Sequence, residues 1–334
     1  SIFSVHELLI ARNLAVWDIL GQLNRLWART CHKMDGNFHG VTFVVTAYNK
    51  EAFLEGTLKS VIAQEGDYDK EFIVIENGSE DRSGEIADDL VGTLPNGRVI
   101  RLMPNQGPAI AQNTGAEAAT MPAIKFLDGD DLLAPDCILR MLPGLNLPGV
   151  GLVHGAGALL EDLDSDLAVN RAGIPPRFNV MKKPLAHSIR HSLAGASAIL
   201  VNRDAYLACG GCDPTVFIQE NSTIYRMAIN NAFAFTDDII LFGPITEHHD
   251  RHGGHLGEVR VQMEHDRNAA LYGLIRDFPD IPHDIKRLAL KRAAGRAWNW
   301  ARRINQKPIG GDQIFWSTFW RICRGCRIMK NCYP

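Results

Sequence analysis

Between residues 41 and 127 the chain switches repeatedly between two hydrophobic periods. VTFVVTAYN (41–49), EFIVIENGS (71–79), GRVIRLM (97–103) and AIKFL (123–127) are short β-branched or aliphatic runs, several ending at polar residues or glycine, as buried strands do. Between them, Leu54, Leu58, Val61 and Ile62 recur at helical spacing within 51–64. SGEIADDLV opens on Ser83, a residue suited to a helix N-cap, and AIAQNTGAEAA (109–119) is alanine-rich. Alternating strands and helices with short connections predict an α/β domain, with a mostly parallel sheet and helices on both faces. Such sheets bind ligands outside the carboxyl ends of their strands, which places Thr46 to Asn49, Glu76 to Ser79 and Asp128 to Asp131 on one rim.

The flanks read differently. Leu8, Leu9, Leu14, Trp17, Leu20, Leu23 and Trp27 predict an amphipathic helix over 5–30. Beyond 135 the pattern loosens, with a long polar excursion over 162–190. AGASAILVNRDAYLACGGCDP then returns as strand, helix and tight glycine turn, and from 284 the chain reads as helical and basic. The expected organisation is an N-terminal helix (1–40), one half of the α/β domain (41–140), a second half (141–257) and a helical C-terminal extension (258–334).

Composition changes this picture only through charge. The net charge is −3, yet residues 282–334 hold twelve Lys/Arg against Asp284 and Asp312. An acidic body with a basic tail points the tail at an anionic surface. Its Trp298, Trp300, Phe315, Trp316, Phe319 and Trp320 suit the interface of an anionic bilayer, reached through 285–334. The alternative is a tail whose aromatics pack on the acidic body. No nucleic-acid motif accompanies the charge.

No apolar run approaches the roughly 18–20 residues of a membrane span, and SIFSVHELLIARN lacks the basic start of a signal peptide. Seven cysteines, an odd number, fit a reducing compartment. These features predict a cytoplasmic protein, peripheral at the inner membrane face if the tail binds lipid. The pairs Cys209/Cys212 and Cys323/Cys326 could form a split zinc site or pack as small apolar residues.

Asp128, Asp130 and Asp131 crowd into four positions directly after a strand. Like charges this close repel, so either water solvates them in a turn, with Asp131 capping the next helix, or a cation belongs among them. A turn of oxygen ligands suits Mg²⁺ or Mn²⁺ bridging to phosphate.

VTFVVTAYNKEAFLEGTLKSVIAQ, EFIVIENGSED, NQGPAIAQNTGAEAA, FLDGDD and GGCDP, taken in order, resemble the family-2 inverting glycosyltransferases with a GT-A fold. The resemblance is dense over 41–140 and thinner to about 257. It implies a nucleotide-diphosphate sugar donor (UDP-sugar favoured), Mn²⁺ or Mg²⁺, and inversion at the sugar carbon. Thr46, Ala47 and Tyr48 match the loop that lies against the nucleoside, where the Tyr48 ring could stack on a base or instead pack across the strand end. Glu76 and Asn77 stand where two Asp that read base and ribose are usual; the substitutions leave uridine less secure. Gln112-Asn113 replaces an Arg-Asn pair, leaving Asn113 as the donor-side match. Asp128 and Asp130 match the acid-x-acid motif, Asp130 for the metal and Asp128 for ribose or sugar.

Inverting transfer also needs a base opposite the leaving nucleotide. In FIQENSTIYRM the resemblance assigns it to Glu220, six residues before Arg226, with Gln219 in place of a first acid. A helix-start Glu favoured by the macrodipole is the plainer reading. In EHHDRHGGHLG (247–257), the resemblance matches His252 to a loop position implied as a metal ligand and Arg251 to a diphosphate partner; the alternative is that the histidines hold zinc themselves.

The expected activity is transfer of a sugar to a hydroxyl of a glycan or lipid-linked acceptor, in the building of a surface polysaccharide or glycolipid. A catalytically silent nucleotide-sugar binder or assembly partner is the alternative, kept open by Gln219, Asn77 and Gln112. A sugar nucleotidyltransferase would need a Gly-rich basic loop where TAYNKE stands.

Overall fold

The computed structural model describes residues 38–159, 174–191, 193, 195–243 and 256–304. The expected helix over 5–30, Arg251, His252, Cys323, Cys326 and the aromatics from Phe315 to Trp320 lie outside the described residues.

The predicted alternation appears in order as β1 (Gly40–Ala47), α1 (Leu54–Ile62), β2 (Asp69–Glu76), α2 (Ser83–Ala87, continued by a π turn over Asp88–Gly92), β3 (Gly97–Arg101), α3 (Pro108–Ala118) and β4 (Ala123–Asp128). These four strands pair in parallel in the order β3-β2-β1-β4. Ser83 is not the cap of α2. It lies fully buried within the helix, where its hydroxyl accepts the Lys50 amide at 2.8 Å, and Asp81 accepts the Ser83 amide at 2.9 Å in the capping role.

Strand alternation builds a core on each face of the sheet. Phe43, Val45, Phe72 and Val74 pack with Leu54 and Leu58 of α1. The intervening Val44, Ile73 and Ile75 pack with Ala111 and Ala116 of α3. Both faces are apolar, as a parallel sheet between helices requires.

The rest of the chain extends the same sheet to nine strands. It supplies β5 (Leu132–Leu133), α4 (Cys137–Leu145), β6 (Val150–Leu159), β7 (Asn179–Met181), α5 (Leu185–Arg190), β8 (Ile199–Asn202), α6 (Arg203–Ala208), α7 (Gln219–Met227) and β9 (Ala232–Gly243). Here β8 runs antiparallel to β4 and β6, β6 pairs in parallel with β9, and β5 and β7 add antiparallel to β9. Two helices follow, α8 (Leu256–Asp277) and α9 (His283–Ile304).

The expected basic helix after 284 is therefore α9, and its described part docks on the body. Ala289, Ala293, Ala297 and Trp300 are buried, whereas Arg287, Lys291, Arg292 and Trp298 are exposed. No helix among the described residues is long and apolar enough to cross a membrane.

Candidate active site

Three loops meet at the carboxyl ends of β1, β2 and β4, stitched by short-range polar contacts. Asn49 takes a left-handed backbone (φ 52°), which Asn tolerates better than most side chains. Its amide donates to the Ser79 hydroxyl at 3.1 Å, and its side-chain oxygen accepts the Glu80 amide at 2.9 Å. The Asn77 amide donates to the Ala47 carbonyl at 2.9 Å, and the Gly129 amide to the Thr46 carbonyl at 3.0 Å. The Asp128 amide donates to the Ser197 hydroxyl at 3.0 Å, and the fully buried Lys125 ammonium donates to the Ser197 carbonyl. A buried cation thus braces the turn facing the acidic loop, and burial lowers its pKa.

The loops enclose a cavity of about 350 Å³. Thr46, Ala47, Tyr48, Asn77, Asp128, Asp130 and Glu220 all line it, so seven of the sequence candidates meet at one place. Tyr48 stands partly exposed at this cavity (43%). Asn77 spends its side chain on the next loop, accepting the Gln106 amide at 3.0 Å and donating to the Gly107 carbonyl at 3.2 Å.

Two candidates lie elsewhere. Glu76 is buried but turned onto its own loop, accepting the Ser79 amide at 2.6 Å, and it does not line the cavity. Asn113 ties α3 to the glycine turn: its oxygen accepts the Tyr206 hydroxyl at 2.7 Å and the Cys212 amide at 3.0 Å, and its amide group donates to the Cys212 carbonyl at 2.9 Å. Gln112, where Arg was expected, is buried and donates to the Tyr206 hydroxyl and to Thr223 at 3.1 and 3.0 Å. Arg226 points away from the cavity, pairing with Asp277 of α8 at 2.7 Å.

The electrostatics are lopsided. Burial pushes the Asp128 carboxyl up to about 8, reinforced by Asp131, Asp130 and Glu220 and opposed by Lys50. Burial likewise raises Glu220, against its own backbone amide and the charge of Arg267. Lys50, which the sequence reading passed over, donates its ammonium to Asp130 at 2.8 Å with both side chains largely buried. Its only signal in sequence was a basic residue directly following TAYN. Phe217 and Met263 were also passed over; they line the cavity beside Glu220, from the peptide before α7 and from α8.

Four carboxylates and one ammonium line the cavity, and among the described lining residues the charged donors open to a cation are all oxygens, the chemistry a hard divalent ion takes. Among the described residues no three His, Cys, Asp or Glu side chains are grouped so as to hold an ion by themselves.

The mixed sheet with helices on its faces agrees with the GT-A fold that the sequence resemblance implies. Residues 42–188, a little under half of the chain, match the model of Glycosyl transferase family 2 as a family-2 glycosyltransferase segment. "Uncharacterized glycosyltransferase EpsJ" of Bacillus subtilis (strain 168) is 32% identical over 156 residues, covering 46% of this chain and 43% of that protein. The chain thus spans under half the length of this curated relative. Among solved structures, S. aureus TarS 1–349 in complex with UDP-GlcNAc superposes with a TM-score of 0.64 at 13% identity, covering 86% of this chain and 82% of that one. The mannosyltransferase PcManGT from Pyrobaculum calidifontis, in complex with GDP-Man and Mn²⁺, gives 0.53 at 19% identity, covering 97% of each chain. These likenesses establish the fold.

Proposed function

We propose that the protein is a metal-dependent inverting glycosyltransferase that moves a sugar from a nucleotide diphosphate, UDP favoured, to a hydroxyl of a glycan or lipid-linked acceptor. The observation that carries it is one cavity lined both by the acidic turn after β4 and by Glu220 at the start of α7. Tyr48 offers its ring to the base, Thr46, Ala47 and Asn77 line the nucleoside side, and Asp128 takes ribose or sugar hydroxyls. Asp130 would hold Mn²⁺ or Mg²⁺, with His252 and Arg251 as further partners for metal and diphosphate. The complexes of TarS with UDP-GlcNAc and of PcManGT with GDP-Man and Mn²⁺ support this reading.

When bound, the cation supplies charge that the departing diphosphate needs. Glu220 takes the proton of the acceptor hydroxyl as its oxygen bonds to the anomeric carbon and the bond from that carbon to the diphosphate breaks. The burial that raises the Glu220 pKa makes its carboxylate a better base than an exposed Glu. The exposed Arg287, Lys291, Arg292 and Trp298 on α9 would bring this site to an anionic lipid surface.

The test is nucleotide release with Mn²⁺, acceptor and a panel of nucleotide sugars. Turnover abolished by Glu220→Gln supports the assignment. Nucleotide-sugar binding with no turnover of any donor would instead assign a binding or assembly partner.

A further inference from the structure

The acidic cavity already contains a cation, and it is the protein's own. Lys50 is held from its backbone by Ser83, and its side chain crosses the acidic turn at Gly129, where a Cβ would come within 3.3 Å of the Lys50 Cγ. The ammonium ends on Asp130, with the two side chains 14% and 8% exposed. Among the described residues lining the cavity, Lys50 is the one cation, facing Asp128, Asp130, Asp131 and Glu220. A carboxylate engaged by an ammonium is a poor ligand for a second cation, which must displace the first and is repelled by it. A diphosphate is the kind of group that can attract that ammonium away, since lysine binds phosphate oxygens as a point charge.

We propose that Lys50 is an internal counter-ion that couples metal loading to nucleotide binding. It holds Asp130 until a nucleoside diphosphate takes the ammonium, and Asp130 is then released to the divalent cation. The inference rests on the nucleotide-sugar reading of the cavity and adds an order of assembly to it. By linkage the coupling is reciprocal: whatever nucleotide does to metal affinity, metal does to nucleotide affinity.

Mn²⁺ titration followed by electron paramagnetic resonance tests this on the full chain, with and without UDP. Direct contact between metal and diphosphate contributes to coupling in any such site, so the discriminating result is the effect of substitution. Without nucleotide, Lys50→Met should bind Mn²⁺ about 5- to 150-fold tighter than wild type, the range of ordinary coupling between sites. It should also bind UDP more weakly, while Lys50→Arg, which keeps the charge, stays near wild type in nucleotide-free Mn²⁺ affinity. Unchanged or weaker nucleotide-free Mn²⁺ affinity in Lys50→Met overturns the proposal. If that variant is too unstable to titrate, the Mn²⁺-induced rise in its melting temperature should exceed that of wild type, and an equal or smaller rise overturns the proposal equally. A wild-type chain that binds no nucleotide sinks the donor reading and the coupling together. A wild-type chain that binds both ligands, beside a Lys50→Met variant with no gain for metal, sinks the coupling alone.

Discussion

The backbone amide of Phe217 donates to the Asp266 carboxylate at 2.6 Å, tying the peptide that leads into α7 to the middle of α8. Asp266 is 1% exposed and also accepts from Gln262 at 2.7 Å, with His265 Nδ1 at 2.8 Å from the same oxygen. Burial would raise this carboxyl, but the hydrogen bonds from His265, Gln262 and the Phe217 amide outweigh it and the pKa is lowered. Glu220 begins three residues after Phe217, so its position depends on this anchor. Asp266→Ala should cost about 1–3 kcal/mol of stability in denaturant unfolding, because it removes a buried carboxylate that accepts from the Phe217 amide and from Gln262. It should also lower kcat more than it raises donor KM. Asp266→Asn retains an acceptor for the amide and should restore most of both.

Glu220→Gln should separate stability from activity. Turnover should fall about 10²- to 10⁴-fold, the usual contribution of a positioned base. Folding raises the Glu220 pKa, so the stability this carboxyl allows is fully present below the unfolded pKa and is lost as pH rises through the folded value. The variant should therefore melt close to wild type in acid and above it near neutrality. Residual wild-type transfer should rise with pH through a midpoint above the ordinary glutamate range, and thermal melts across pH beside rate profiles check both halves.

Restoring the expected arginine should fail. Gln112 donates to Tyr206 and Thr223 inside a buried polar cluster with no acidic partner among its hydrogen bonds. Gln112→Arg would bury an unpaired charge there, with an expected loss of about 3–5 kcal/mol, the scale of an uncompensated buried ion. Gln112→Leu, which abandons the polar partners without adding charge, should lose less. Urea unfolding of the two variants gives the comparison.

The parallel half of the sheet was legible because β1, β2 and β4 bury residues on both faces and therefore read as apolar runs, with GRVIR of β3 set between helical stretches at the sheet edge. The β6–β9 pair was not, for a reason visible at Gly155. A Cβ there would lie 2.4 Å from Ile240 Cγ1, so β6 needs glycine where β9 crosses close, and in GLVHGAGALL those small residues loosen the strand pattern. At the site, residues next to a strand end could be found by position, as Tyr48 and Asp130 were. Lys50, Phe217 and Met263 act through the approach of distant segments, which no local spacing encodes. Ser83 misled because its hydroxyl serves another loop rather than its own helix.

Phe217 itself carries the last prediction. The residue is 37% exposed, it lines the cavity, and the Asp266 contact ties down its backbone, so an apolar surface stands in the cavity with the proposed base. An aromatic plane suits the apolar face of a sugar ring, and with Glu220 as the proposed base a ring in the same part of the cavity is expected to meet the acceptor rather than the nucleotide. Phe217→Ala should raise acceptor KM about tenfold, equivalent to about 1.4 kcal/mol, while donor KM moves little. Tyr48→Ala should show the opposite split, raising donor KM and sparing the acceptor. Initial rates with each substrate varied in turn distinguish the two, and a Phe217→Ala variant that loses donor affinity instead would place the two aromatics on the same substrate.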